Sequence, residues 1–392
     1  MRTSVAATGI SDGDLAVDAA LADIAGSFRF LLDLSPVDLP ALREAFERDG
    51  TIPPFRYPPL EQDPAVLADR LAEVPVDAVE DPIVASLLLA KAGELRLQLE
   101  MLACRGTDEF QPLSVELFGA VSPTLLAEAE AILAEVPAPE RNTGPWLDAV
   151  EVARTARSEI DRYRRGAPAF TATVEIREGS TGLMVSNGDL LIAPGARVSV
   201  ARIAALLHHE IGVHILTHVN GANQPLRVLA DGLAGHEETQ EGLAVLAEHL
   251  AGGLTPGRLR LLAARVIAAH HMLSGAGFAE VHAALRAAGI RRGQAFTTTV
   301  RAFRSGGLTK DAVYLRGLRE LLDHLGTGGD LDVLWLGKMP LTAVPLVTQL
   351  RDAGLLVEPM LRPRFLDDPA AQARLAALGQ VRPLTALMGA PP

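Results

Sequence analysis

Six of the ten histidines in this chain lie between positions 208 and 249, and six carboxylates share that segment. Imidazole and carboxylate groups are common ligands of zinc and related metals, so the cluster indicates a candidate metal site. The histidines are His208, His209, His214, His218, His236 and His249, and the carboxylates are Glu210, Asp231, Glu237, Glu238, Glu241 and Glu248.

The centre of this cluster is the segment H-E-I-G-V-H at 209–214. Many zinc hydrolases carry two histidines four residues apart with a glutamate between them, because that spacing puts both imidazoles on one helix face. Here His209 and His214 are five residues apart, which turns their side chains about 140° from each other in a regular α-helix. A π-bulge would bring the rings together, and Gly212 lies where backbone distortion costs least. We therefore favour His209 and His214 as ligands on a bulged helix.

Other readings of the same residues remain open at this point. His214 and His218, or Glu210 and His214, are four apart and suit a regular helix. A helix with core-facing or capping histidines and no metal is a further alternative. The apolar residues on both sides of the segment weigh against it, because buried imidazole and carboxylate groups need partners.

A third ligand is expected from the helix that follows, where composition allows Glu237, Glu238, Glu241 or Glu248. Glu237 and Glu238 fit the acidic first turn of a helix, which the helix dipole favours. Glu241 precedes Gly242, whose small size would let this helix approach the histidine helix closely. Composition alone does not choose between these carboxylates.

Three segments together resemble the QEGLA-motif family, which includes the microtubule-associated tyrosine carboxypeptidases of animals and many bacterial proteins. They are H-E-I-G-V-H at 209–214, Q-E-G-L-A at 240–244 and F-R-S-G-G-L-T-K-D-A-V-Y-L-R-G-L at 303–318, and the resemblance extends from about residue 12 to residue 365. It implies a zinc metallopeptidase with one Zn²⁺ bound by His209, His214 and Glu241. It also implies that Glu210 is the catalytic acid and base.

The resemblance implies a mechanism as well. Three protein ligands leave a fourth zinc position for water, whose pKa the metal lowers. Glu210 would take the proton of this water and pass it to the leaving amine. Acceptors for the free imidazole nitrogens are also expected, and Asp231, Glu238 and His208 are the candidates.

A carboxypeptidase also needs a cation for the terminal carboxylate of its substrate. The third segment supplies Arg304, Lys310 and Arg316 as candidate substrate-binding residues. Lys310 and Tyr314 are four apart and should share a helix face. We expect Tyr314 to donate to the developing oxyanion and Arg304 or Lys310 to bind the carboxylate. The alternative is a set of solvated helix charges.

Composition narrows the possible partners and location. The chain has 392 residues, and 36 basic against 48 acidic residues give 36 − 48 = −12, which argues against general affinity for nucleic acid or anionic membranes. The single Cys104 excludes an internal disulfide framework. The N-terminal residues lack the apolar stretch of a signal peptide, and no apolar run is long enough for a membrane span. We expect a cytoplasmic protein.

The sequence also predicts the helices and strands that must position these residues. Together they indicate an α+β fold that is predominantly α-helical. We expect an N-terminal helical region at 1–166 and a metallopeptidase core at 167–326. The core should begin with an antiparallel β-meander at about 170–193, since Asn187-Gly188 between apolar runs is a strong hairpin signal. The region 327–392 should form a C-terminal α/β element with a βαβ-like unit, in which strands 332–336 and 355–357 flank a helix at 341–353.

These inferences together predict a zinc-dependent carboxypeptidase acting on a peptide or protein C-terminus. Tubulin is not inferred as the substrate, because its acidic tail would need a locally basic groove. The alternatives are a non-catalytic metal-binding regulatory protein and a metal-dependent amidase with a non-peptide substrate. A closed ligand shell would favour the first, whereas a dead-end pocket with a cation at its base would favour a carboxypeptidase over an amidase.

Overall fold

The structure is a computed structural model that describes residues 9–52, 54–139, 144–168, 170–178, 182–380 and 383–389. About two thirds of the chain is helical, with one sheet of two strands and one of three, so the expected α+β, predominantly helical class is confirmed. None of the described helices is by itself long and apolar enough to cross a membrane. One pair bent by 87°, Phe110–Phe118 with Pro123–Glu135, passes that test only when joined.

The first part of the chain is a series of helices. Their starts follow from local sequence, since Ser11, Asp63, Asp81, Ser122 and Asp148 each accept a backbone N–H of the first turn. The first helix ends at Ala25, and a separate short helix follows. The helices are α1 (Asp12–Ala25), α2 (Phe30–Asp33), α3 (Leu39–Asp49), α4 (Pro64–Ala72), α5 (Pro82–Ala103), α6 (Phe110–Phe118), α7 (Pro123–Glu135) and α8 (Ala149–Gly166).

The described residues form five short strands. They are β1 (Trp146–Leu147), β2 (Val174–Ile176), β3 (Leu183–Ser186), β4 (Asp189–Ile192) and β5 (Val198–Ser199). β1 pairs with β5, and β3 and β4 form the expected hairpin, with φ of 49° at Asn187 and 79° at Gly188.

The prediction of an antiparallel meander is wrong. The sheet order is β2-β4-β3, and β2 runs parallel to β4. The strand β3 takes one edge of β4 and β2 takes the other, so β2 skips the strand that follows it in the chain and the up-and-down order of a meander is lost.

The second part of the chain contains the histidine helix and the helices packed around it. Residues 203–222 form one helical path in which α9 and α10 flank a π-helical segment, Glu210–Ile215. The helices are α9 (Ile203–His209), α10 (Leu216–Ala222), α11 (Val228–Asp231), α12 (His236–Leu250), α13 (Pro256–Leu273), α14 (Phe278–Ala287), α15 (Arg292–Phe303), α16 (Val313–Gly326), α17 (Val344–Asp352) and α18 (Pro369–Ala377).

The expected C-terminal βαβ unit is also wrong. The predicted helix is present as α17, but Asp332–Trp335 is a 3₁₀ turn and residues 355–357 form no strand. Val333, Leu334 and Trp335 are each about 1% exposed. A short apolar run that is buried on every side looks the same in sequence whether it is a strand or a turn.

One continuous hydrophobic cluster draws on all three predicted regions, with Leu88, Leu243 and Leu350 among its buried members. The closest crossing within it joins α12 and α16. A Cβ on Gly242 would overlap the backbone of Gly317, and one on Gly317 would overlap the carbonyl of Glu238. Gly242 therefore permits close approach to α16, not to the histidine helix as its position in sequence suggested.

This crossing can be tested with Gly317→Ala. The added methyl group has no space beside the carbonyl of Glu238, so the two helices must separate, at a cost of about 1–3 kcal/mol in free energy of unfolding. Urea denaturation should show this loss.

The control is Gly93→Ala at an exposed position inside α5, where a Cβ meets nothing within 4 Å. This change should stabilise the protein by about 0.5–1 kcal/mol. Equal stability of the Gly317→Ala variant and the wild type would contradict the packing argument.

Candidate metal centre

The π-helical segment Glu210–Ile215 begins directly after His209 and contains His214. It confirms the predicted bulge, because the two imidazole rings lie side by side with centroids 5.0 Å apart. The alternative pair of His214 and His218 is not formed. The Nδ1 atom of His218 instead lies 3.1 Å from the carbonyl oxygen of Ala230.

Glu241 brings a carboxylate oxygen to these imidazoles from α12. Its Oε2 lies 3.7 Å from Nε2 of His209 and 3.6 Å from Nε2 of His214. Ligand atoms on a tetrahedral zinc with bonds of about 2 Å are separated by about 3.3 Å, so the spacing is close to that of a ligand set. The Oε2 atom is also buried without a hydrogen-bond partner in the described structure. Such an atom is costly unless a cation is bound, so these three residues fit a metal ion.

Glu210 lies at the same place. Donor atoms of His209, Glu210 and His214 lie within 4.8 Å of one another, in a group that could hold a metal ion. Burial raises the pKa of Glu210 well above its usual value, and the nearby Glu241 and Glu248 add to this. A cation bound at the donor atoms would instead lower the pKa of Glu210. A buried carboxyl group with an adjustable pKa suits proton transfer.

Glu248 orients the first imidazole. Its Oε1 lies 3.0 Å from Nδ1 of His209, so an N–H at that position leaves Nε2 free to face Glu241. The Glu248 side chain is fully buried and pairs with Arg202 and Arg258. Burial alone would raise the pKa of Glu248, but Arg258 and His209 hold it well below its usual value.

The residues expected to orient the imidazoles have other partners or lie elsewhere. Glu238 pairs with Arg316, and His208 packs against Phe365 with a ring-centroid distance of 5.4 Å. Asp231 lines a neighbouring cavity. Glu248 follows Glu241 by seven residues, two helical turns, and therefore shares its face. That spacing is the signal that could have identified it.

Lys310 binds the other oxygen of the Glu241 carboxylate, with Nζ 2.9 Å from Oε1. Burial would raise the pKa of Glu241, but Lys310 and the imidazoles hold it well below its usual value. Lys310 is only 2% exposed and lies 5.1 Å from the centroid of the Tyr314 ring, so the two residues lie together as expected. They do not share a helix face, because Lys310 belongs to a 3₁₀ turn, Lys310–Ala312, that precedes the helix carrying Tyr314. The ammonium group of Lys310 orients a candidate metal ligand.

The donor atoms open into a cavity of about 210 Å³. Strand β3 lines one part of it, and Leu31 in α2 and Ser35 just after α2 line another. No sequence motif marked these two residues as part of the site. Tyr314 and Arg304 also line the cavity. Arg316 does not, because it pairs with Glu238 in a separate cavity and donates to the carbonyl oxygen of Phe118.

Replacing Glu248 with glutamine tests its role. With no charge beside Nδ1, His209 would bind a metal ion more weakly, so affinity for Zn²⁺ should fall by about 10–100-fold in a chelator-competition titration. Glu238→Gln is the matched control on the same helix, because Glu238 pairs with Arg316 and touches neither imidazole. Equal zinc affinity in both variants would contradict the role given to Glu248.

No curated protein matches this chain. A solved structure described as a putative lipoprotein from Colwellia psychrerythraea is similar, with 15% identity and a TM-score of 0.41 over 73% of this chain and 66% of that one. This chain thus spans slightly less than two thirds of that protein. Residues 44–382 match the family described as microtubule-associated tyrosine carboxypeptidase. Because this match covers most of the sequence, the protein belongs to the microtubule-associated tyrosine carboxypeptidase family.

Proposed function

We propose that this protein is a zinc-dependent carboxypeptidase that removes the C-terminal residue of a peptide or protein. The observation that carries the proposal is the unpartnered Oε2 of Glu241, which faces Nε2 of both His209 and His214 beside the buried Glu210. The family's description supports the same activity. The proposal extends to a cytoplasmic location and does not extend to tubulin.

Two imidazoles and one carboxylate form a ligand set that suits catalytic zinc. Bound there, zinc would lower the pKa of a water molecule and polarise the scissile carbonyl. Glu210 accepts the proton of the attacking water and delivers it to the leaving amine. Lys310 keeps Glu241 ionised, and Glu248 keeps His209 in the tautomer that presents Nε2.

Two further residues of the cavity contact the substrate in this proposal. Tyr314 lies among cations, with Arg265 at 4.4 Å and Lys310 at 5.1 Å from its ring centroid, and its hydroxyl donates to the developing oxyanion. Arg304 binds the terminal carboxylate of the substrate. Lys310 is already paired with Glu241, whereas within the described structure no carboxylate lies within ion-pair distance of Arg304. A guanidinium group suits two-point binding of a carboxylate.

The central test measures zinc content and shortening of a C-terminally diverse peptide library. Wild type should hold about one zinc ion per chain. Glu210→Gln should keep the zinc and lose about 10²–10⁴-fold in kcat, because only the proton carrier is removed. His214→Ala should lose both zinc and activity.

Each contrary result has a defined meaning. Wild type without zinc after reconstitution would reject the metal site. Zinc in wild type with no shortened peptide would favour a metal-binding regulatory protein. Hydrolysis of non-peptide amides in place of peptides would favour an amidase.

The carboxylate site is tested by Arg304→Met. Loss of the guanidinium should raise KM for peptides with a free C-terminal acid by about 10–100-fold, the range for a hydrogen-bonded charged group. Turnover of the matching C-terminal amides should be unchanged. Arg316→Met is the control, because that arginine lies outside the cavity, and its KM should equal that of wild type. Similar KM values for the Arg304→Met variant and the wild type would exclude Arg304 as the carboxylate anchor.

A further inference from the structure

Arg304 is a buried cation with few partners. It is 5% exposed, and its guanidinium donates to Oγ of Ser35 at 3.0 Å, while its Nε has no partner in the described structure. Arg265 and Arg301 nearby both pair with Asp311 instead. Burial lowers the pKa of Arg304 to about 10, and Arg301 contributes to this. Because few partners fix the Arg304 side chain, the orientation of its guanidinium depends on the contacts that hold the Arg304 backbone.

That backbone enters a turn of unusual conformation. Ser305 has φ of 61° and ψ of 10°, and the next two residues, Gly306 and Gly307, have φ of 106° and 127°. A left-handed conformation is costly for a residue with a side chain and persists only where the surroundings hold it. A Cβ on Gly306 would overlap the carbonyl oxygen of Thr107, so the turn lies tightly against the loop after α5.

Hydrogen bonds from the N-terminal helical region hold this turn. The N–H of Ser305 donates to the hydroxyl oxygen of Tyr57 at 2.6 Å. The hydroxyl of Ser305 donates to the carbonyl oxygen of Leu34 at 3.0 Å. The N–H of Gly106 donates to the carbonyl oxygen of Ser305 at 2.8 Å. Every polar group of Ser305 is therefore bound by residues far away in sequence.

The same region also binds the Arg304 side chain. The hydroxyl of Ser35 donates to the carbonyl oxygen of Leu31 at 2.7 Å, which leaves its oxygen to accept from the guanidinium. Arg105 joins the two supporting segments, because it donates to the carbonyl oxygens of Asp33 and Pro58. Leu34 thus binds the Ser305 turn, and the neighbouring Ser35 binds the Arg304 guanidinium.

We propose that Ser35 and Tyr57 are positioning residues that set the protein's selectivity for a free C-terminal carboxylate. They fix the Ser305 turn and point the Arg304 guanidinium into the cavity. The inference rests on the proposed function, in which Arg304 binds that carboxylate. Ser35 lies before residue 44, where the family match begins, so this part of the cavity lining lies outside the matched part of the chain.

The test uses the full-length zinc protein with Tyr57→Phe and Ser35→Ala. The probe is the peptide that wild type shortens fastest in the library digest, prepared as free acid and as C-terminal amide. Each variant should raise KM for the acid about tenfold, with kcat within about twofold, because one hydrogen bond that orients a charged group is lost. Turnover of the amide should not change, and the acid-over-amide selectivity should fall about tenfold.

A second readout does not depend on turnover. In a Glu210→Gln background, the Kd of the acid peptide should rise about tenfold with Tyr57→Phe, and that of the amide should stay constant. Ser35→Thr retains the acceptor oxygen and should restore the wild-type KM. Tyr163→Phe is the matched control, because Tyr163 likewise accepts a backbone N–H, that of Arg364 at 3.0 Å. It should lower the melting temperature without changing selectivity.

The outcomes separate the two proposals. Acid and amide turnover that fall together in both variants would indicate general disruption and overturn the positioning role. Unchanged KM and Kd for the acid would overturn it as well. A wild-type protein that shortens the amide as well as the acid would instead reject the carboxypeptidase proposal, and the inference with it.

Discussion

The carboxylate of Glu241 connects the parts of this protein, because its two oxygens face different elements. One binds Lys310 in the 3₁₀ turn before α16, and the other faces the imidazoles of the histidine helix. The contact with Lys310 requires α12 and α16 to cross closely, which the backbone of Gly242 against Gly317 permits. A wider crossing would separate Lys310 from the carboxylate and leave a buried charge without its partner, which is strongly unfavourable. The packing of two glycines therefore sets the electrostatics of the site.

The interior around this carboxylate is unusually rich in paired charges. Glu248 is neutralised by two arginines from different elements, and Asp311 pairs with Arg301 and Arg265. Each pair is demanding in geometry, because a buried charge is stable only with a well-placed partner. We interpret this network as a frame that fixes the helices relative to one another. Tyr314 lies within it, against Arg265.

The features that depend on local sequence pattern were predicted correctly. The features that depend on contacts between distant segments were not. The five-residue spacing of His209 and His214 predicted a bulge because helix geometry is local, and Asn187-Gly188 predicted its hairpin for the same reason. The parallel partner of β2 was missed, because short strands carry no signal of which edge they join. Arg316 looked equivalent to Arg304 in sequence, yet its helix face turns it towards Glu238. The contribution of Ser35 was not predictable, since it depends on a contact across 269 positions.

The bulge after His209 also limits how this sequence can change. Removing one residue from 211–213 would restore a regular helix with histidines four apart, but everything beyond it would turn by about 100°. Asn220 would then leave the carbonyl oxygens of Trp335 and Leu361, to which its side chain donates at 2.8 Å. A single-codon deletion would therefore improve the motif and break its anchorage to the C-terminal segment. The shorter spacing is therefore reached from this sequence only with a loss of stability, unless the contacts of Asn220 are rebuilt at the same time.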